Sequence, residues 1–167
     1  MTSPADIVVT PTHVRYLGRR FACRIGRGGR VAAEDKREGD GATPRGRHEI
    51  VGTLYRPDRL APPAPWAAPI GAFDLWSDAS GAPDYNHLVR APYGASHERL
   101  RRADPMYDVI LLTDWNWPDA QAGRGSAIFL HQWRGPGRPT AGCVAFRRAD
   151  LLWIAARAAP GTGLVIA

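Results

Sequence analysis

Cysteine and lysine are almost missing from this sequence. Its two cysteines, Cys23 and Cys143, permit one disulfide at most and match no zinc framework, so the fold cannot rest on a disulfide scaffold or a structural zinc. A bond between them would also disarm any thiol chemistry at Cys143. Long apolar runs are absent: no stretch reaches the length of a membrane span. Met1–Thr12 lacks the basic start and apolar run of a secretory leader, so the chain reads as soluble, with no visible export signal. Lys36 is the single lysine among 22 basic residues. The arginines are scattered, in pairs such as Arg19-Arg20, Arg101-Arg102 and Arg147-Arg148, which is a compositional bias rather than a basic stripe. Despite a net charge of +6, nucleic acid is therefore not the expected partner. No internal repeat occurs, and His87 and His97 lack the spacing of a metal motif.

What is present suits one mainly β domain over residues 1–167. A chain of 167 residues buries roughly two-thirds of its unfolded surface in a single core. Its 18 glycines and 15 prolines favour many turns and short strands over a helical bundle. Ile7–Thr10, Phe21–Ile25 and His48–Tyr55 read as strands, and Gly26–Gly29 as a turn. Asp108–Thr113 and Ser126–His131 are the strongest buried-strand signals, with shorter ones at Cys143–Phe146 and Leu164–Ile166. Glu34–Gly46 is a charged, glycine-punctuated loop. Arg56–Tyr85 is rich in proline, alanine and tryptophan without a period, and Trp66, Phe73 and Trp76 make it too apolar for a tether; it is expected to pack over the sheet as one wall of a groove. Arg147–Ala159 carries apolar residues at helical spacing, Asp150 in its first turn and Pro160-Gly161 as its stop, which predicts the one substantial helix.

Chemistry concentrates at His131 and Cys143. The histidine ends a strand, and the cysteine follows twelve positions later in Thr140-Ala141-Gly142-Cys143-Val144, after a loop rich in Gly and Pro. A thiol reacts as the thiolate, so it needs a base or cation nearby and partial exposure. A neighbouring strand histidine supplies the first, and a tight glycine turn the second. Gly142 permits close backbone approach, the amides of Gly142 and Cys143 are candidate oxyanion donors, and the helix that follows suggests a dipole contribution to the thiolate. On spacing alone, a buried core cysteine and a hydrogen-bonded histidine are the commoner explanation of the pair. Tyr85, Asn86, Ser96 and Tyr107 are candidates to border the groove, and Asp40 or Glu98 to orient a histidine.

This segment resembles the active-site signature of the L,D-transpeptidase catalytic domain, the YkuD domain: a strand-end histidine, then Ser/Thr-His-Gly-Cys and an aliphatic residue. Thr140, Gly142, Cys143 and Val144 match, and His131 takes the place of the earlier histidine. Upstream, Gly41-Ala42-Thr43-Pro44-Arg45-Gly46 looks like the family's Thr-Pro-x-Gly loop. The resemblance implies a sandwich-like fold with one substantial helix after the cysteine, and a ping-pong mechanism without metal or cofactor. In it Cys143 attacks the third residue of a peptidoglycan tetrapeptide stem and expels D-alanine. His131 acts as base, held by a backbone carbonyl that falls at Gln132. Thr140 would shape the turn, and Trp133, Arg134, Arg138, Arg147 and Tyr107 are candidates to contact substrate. A 3-3 or an atypical 1-3 cross-link would follow, or, with water as acceptor, carboxypeptidase activity. Carbapenems are the implied covalent inhibitors, the periplasm or cell envelope the implied location, and a monomer the expected state. A noncatalytic module that binds cell wall or nucleic acid is the reading from another class. Three departures stand out: Ala141 replaces the signature histidine, Ala145 the arginine that often follows the aliphatic residue, and the gap from His131 to Cys143 is shorter than usual in the family.

Overall fold

Short β-branched and aromatic runs become strands wherever a neighbour takes up their ladder hydrogen bonds. A computed structural model describes residues 3–167. Its strands begin with β1 (Ile7–Val9), β2 (His13–Tyr16), β3 (Arg19–Arg24), β4 (Arg30–Val31), β5 (Thr43–Pro44), β6 (Gly46–Tyr55) and β7 (Ala67–Pro69). Then come β8 (Asp74–Ser77), β9 (Leu88–Arg90), β10 (His97–Arg99), β11 (Val109–Thr113), β12 (Phe129–Gln132) and β13 (Val144–Phe146). Helix α1 (Arg148–Ala155) and strand β14 (Gly163–Ile166) follow.

The main sheet has the order β11-β12-β13-β3-β2-β1-β14-β6-β7, and β6 also pairs with β11, so the ladder closes on itself. The long strand β6 makes closure possible. Gly46–Glu49 pair with β14, and Ile50–Tyr55 pair with β11. The fold is therefore mainly β, as its turn-rich composition predicts, and a barrel-like sandwich, as the resemblance implies. A small second sheet, β10-β8-β9, stands beside it.

Side-chain alternation sorts the barrel strands between two cores. Val109 and Leu111 of β11, Leu130 of β12, and Val144 and Phe146 of β13 join Ile7, Leu151, Ile154 and Leu164 in the larger core. Their strand neighbours Ile110 and Phe129 point the other way, into a second core with Ile70, Trp76, Leu100, Met106, Tyr107 and Cys143. The same period of two sends His131 to the face of Phe129, which is the face that carries the cysteine.

Three expectations need correction. The helix is shorter than Arg147–Ala159, ending at Ala155, where the backbone tightens into a turn with Arg157 and Ala158 both donating to the Ile154 carbonyl. Strand β13 stands between Cys143 and α1, and α1 packs into the larger core, so the helix dipole does not serve the thiol. Ser126–Ile128 do not extend β12: Ala127 adopts φ +51°, and its N–H and C=O bond to Asn86 Oδ1 and Cys143 Sγ rather than to a strand. The 56–85 segment is packed as expected, but it also supplies β7, which extends the main sheet beside β6, and β8, the centre of the small sheet.

Candidate active site

Three chain segments tie together around the cysteine. Thr43, fully buried in β5, donates its hydroxyl to Gly142 O (2.7 Å) and accepts from Gly26 N (2.9 Å). Arg27 N donates to Thr140 O (2.8 Å) and Thr140 N to Ile25 O (3.0 Å). Gly26 has no room for a side chain, because a Cβ there would stand 2.2 Å from Gly41 O. Gly142 adopts φ +142°, with Ala42 O and Ile128 Cδ1 crowding the place a Cβ would take. The Thr140 hydroxyl closes the turn, accepting from Gly142 N (3.0 Å) and donating to Cys143 O (2.6 Å). The Gly142 amide is thus already engaged, while among the described residues the Cys143 N–H finds no acceptor.

The thiol and the imidazole are both uncharged at neutral pH. Burial pushes the Cys143 thiol up to about 12, with the nearby Glu98 carboxylate adding to the effect. The thiol donates to Ala127 O (3.0 Å) and accepts from Phe129 N (3.4 Å). Burial likewise pushes His131 down to about 4. Its Nδ1–H donates to Gln132 O (2.8 Å), which makes Nε2 the basic nitrogen. Among the described residues no hydrogen bond joins Sγ to His131, so the thiol must turn from Ala127 to reach a base. Cys23, by contrast, lies in the larger core on β3 and is pushed up to about 11 by burial; both cysteines are free.

Cys143 and His131 open into one cleft of about 610 Å³. Thr140, Trp133, Arg134, Arg138 and Tyr107 line it with them, as do Ala141 and Ala145. Ala145 pairs with His131 across β12 and β13, so the small side chain leaves space beside the imidazole. Arg147 is not brought there: it caps α1 and pairs with Asp150 (3.0 Å). The sequence reading missed Arg27, Arg99 and Arg102, which also line the cleft; Arg102 lies over the Tyr107 ring (5.4 Å). It also missed Glu38 and Asp78, which form an acidic wall with Glu98, a residue named from the sequence only as a candidate to orient a histidine. Only Asp78 comes from the 56–85 excursion, but β8 of that excursion carries β10, which holds His97, Glu98 and Arg99. Lys36 is buried, bonded to Asp40 (2.7 Å) and the Arg37 carbonyl. Asn86 joins Trp76, Trp115, Asn116 and Ala127 through four side-chain hydrogen bonds, and so fixes the peptide on which the thiol rests. Asn86 was expected to border the groove; it does not line the cleft, and no sequence pattern marked its part in holding Ala127.

The family model of the L,D-transpeptidase catalytic domain, YkuD, matches residues 7–166. The chain belongs to that family. No curated protein and no solved structure gives a significant match. YkuD domains act on peptidoglycan stems and are in general enzymes of the cell envelope, and the mainly β barrel is consistent with that domain. No helix among the described residues is long and apolar enough to cross a membrane.

Proposed function

We propose that this YkuD domain is a cysteine L,D-transpeptidase that cross-links peptidoglycan through an acyl-enzyme. The observation that carries the reading is the meeting, in one cleft, of the Cys143 thiol and a neutral His131 whose Nδ1 is fixed on Gln132 O. In the first half-reaction the thiol proton passes to His131 Nε2 and Sγ attacks the carbonyl of the third stem residue. The free Cys143 N–H is the oxyanion donor, with Gly142 holding the turn rather than donating. Collapse breaks the C–N bond, His131 returns the proton to the leaving D-alanine nitrogen, and a thioester remains. An amine of a second stem then attacks the thioester, giving a 3-3 or a 1-3 link according to which amine it is; water would give a carboxypeptidase. Arg134 and Arg138, which line the cleft, are the proposed partners of stem carboxylates, with Trp133 as a wall. The proposed site of action is the cell envelope, and the proposed state a monomer.

Purified tetrapeptide sacculi incubated with the protein, followed by muropeptide analysis, test this directly. Dimers and free D-alanine are expected, both lost in Cys143→Ala. A carbapenem should add to the intact protein and not to that variant; an adduct surviving the substitution would overturn the assignment of the nucleophile.

A further inference from the structure

Transfer of an acyl group from one amine to another leaves no net proton, yet its two halves do not balance separately. At neutral pH the acceptor arrives as an ammonium, and its nitrogen must shed one proton before it can attack and a second afterwards. The second passes through His131 to Sγ as the C–S bond breaks, restoring the thiol. The first has no place on that pair. Sγ is bonded to carbon at that moment, and His131, pushed down to about 4, gives up protons rather than keeping them.

A carboxylate stands in the same cleft. Glu98 of β10 accepts a hydrogen bond from the Tyr107 hydroxyl, and the Tyr107 ring meets the His131 ring edge-on at 5.4 Å. Glu98 is fixed relative to the histidine strand: it pairs with Trp76 of β8, whose ring packs on Phe129 of β12 at 5.0 Å. The charged and titratable groups around it are Tyr107, Asp78, Arg102, Glu38 and Cys143. Burial, with Asp78 and Glu38 adding to it, lifts the Glu98 carboxyl above its ordinary value, against the opposing pull of Tyr107 and Arg102. Asp78 lines the same wall, and its carboxylate beside Glu98 favours an ammonium there.

We propose that Glu98 is the acceptor-side base of the cleft, taking the first proton of an incoming ammonium that Asp78 holds, while His131 carries the second proton to Sγ. The assignment rests on the transpeptidase reading above. It balances over a cycle: each acylation expels D-alanine as a free amine that takes up one proton, and each transfer delivers one to Glu98, which is then available for the next leaving amine.

Glu98→Gln in the full chain, with a tetrapeptide muropeptide as donor and acceptor, tests it. At pH 7 dimer formation should fall at least about tenfold while carbapenem acylation stays within about threefold, because only the second half-reaction loses its base. The deficit should shrink above about pH 9, where the acceptor amine loses its proton unaided. Equal losses in acylation and transfer, unchanged dimer formation, or a deficit constant with pH would each overturn the proposal. Should the variant fail to fold, the wild-type protein decides: the ratio of dimer to released D-alanine should rise with pH through a single ionisation below that of the free amine, and a flat ratio counts against Glu98. Wild-type protein that releases no D-alanine would instead sink the transpeptidase reading itself.

Discussion

His131 shows how burial sets a residue's chemistry. Its folded pKa of about 4 lies below the ordinary histidine value, so the unfolded chain binds a proton over a range in which the folded protein does not. A lowered histidine contributes nothing against folding above pH 6.5, and opposes it increasingly as pH falls from there toward 4. Between pH 7 and 5 this is worth about 2 kcal/mol, so urea midpoints of the wild-type protein should drop over that interval by more than those of His131→Asn. Equal drops would show that the loss comes from other groups, such as His48, whose pKa burial also lowers. For Cys143 the consequence is kinetic. A thiol raised to about 12 and resting on Ala127 O is a poor nucleophile until substrate draws it toward His131. Cysteine and histidine were legible as a pair in the sequence, through their spacing and the motif around them. Their protonation states were not, because those come from Phe129, Ala127 and Glu98, which the chain brings to the thiol from elsewhere.

Among the elements, β5 does most for the site at least length. Its two residues, Thr43 and Pro44, lie almost a hundred positions from the cysteine turn, yet the Thr43 hydroxyl bonds both Gly26 and Gly142. Thr43→Val keeps the shape and leaves two buried partners unmatched, which should cost about 1–3 kcal/mol in urea unfolding. D-alanine release should fall with it, whereas Thr43→Ser should retain both. The Thr-Pro motif pointed to this segment, but its bond to the turn depends on β4 and β5 pairing in parallel, a register that no local pattern encodes. Helix α1 shows the opposite limit. Helical periodicity continued to Ala159, while the backbone stopped at Ala155 because the following residues turn to feed β14.

At the scale of the molecule, closure of the barrel is what brings the halves of the site together. β6 spans from β14 to β11, and β11 carries β12 and hence His131, while the 56–85 excursion returns along β6 and delivers the sheet that bears Glu98. Asp108, 4% exposed, clamps this arrangement, accepting from Arg59 of the excursion and Arg148 of α1, each at 2.7 Å. Asp108→Asn should destabilise the protein by about 1–3 kcal/mol, less than an uncompensated buried charge would, because both arginines reach solvent. Folded molecules should keep D-alanine release within about threefold, since Asp108 lies outside the cleft. A larger loss of release than of stability would mean that the clamp also steers Gln132, which Arg148 reaches at 3.2 Å. Strand content, the family, and the proposed nucleophile and base were all written in local features: β-branched runs between glycines, a strand-end histidine, and a cysteine after glycine. The acidic wall, the idle Arg147 and the engaged Gly142 amide were decided only by the tertiary structure. Burial, charge and hydrogen-bond occupancy belong to the groups that surround a residue, and here those groups come from strands far apart in the chain.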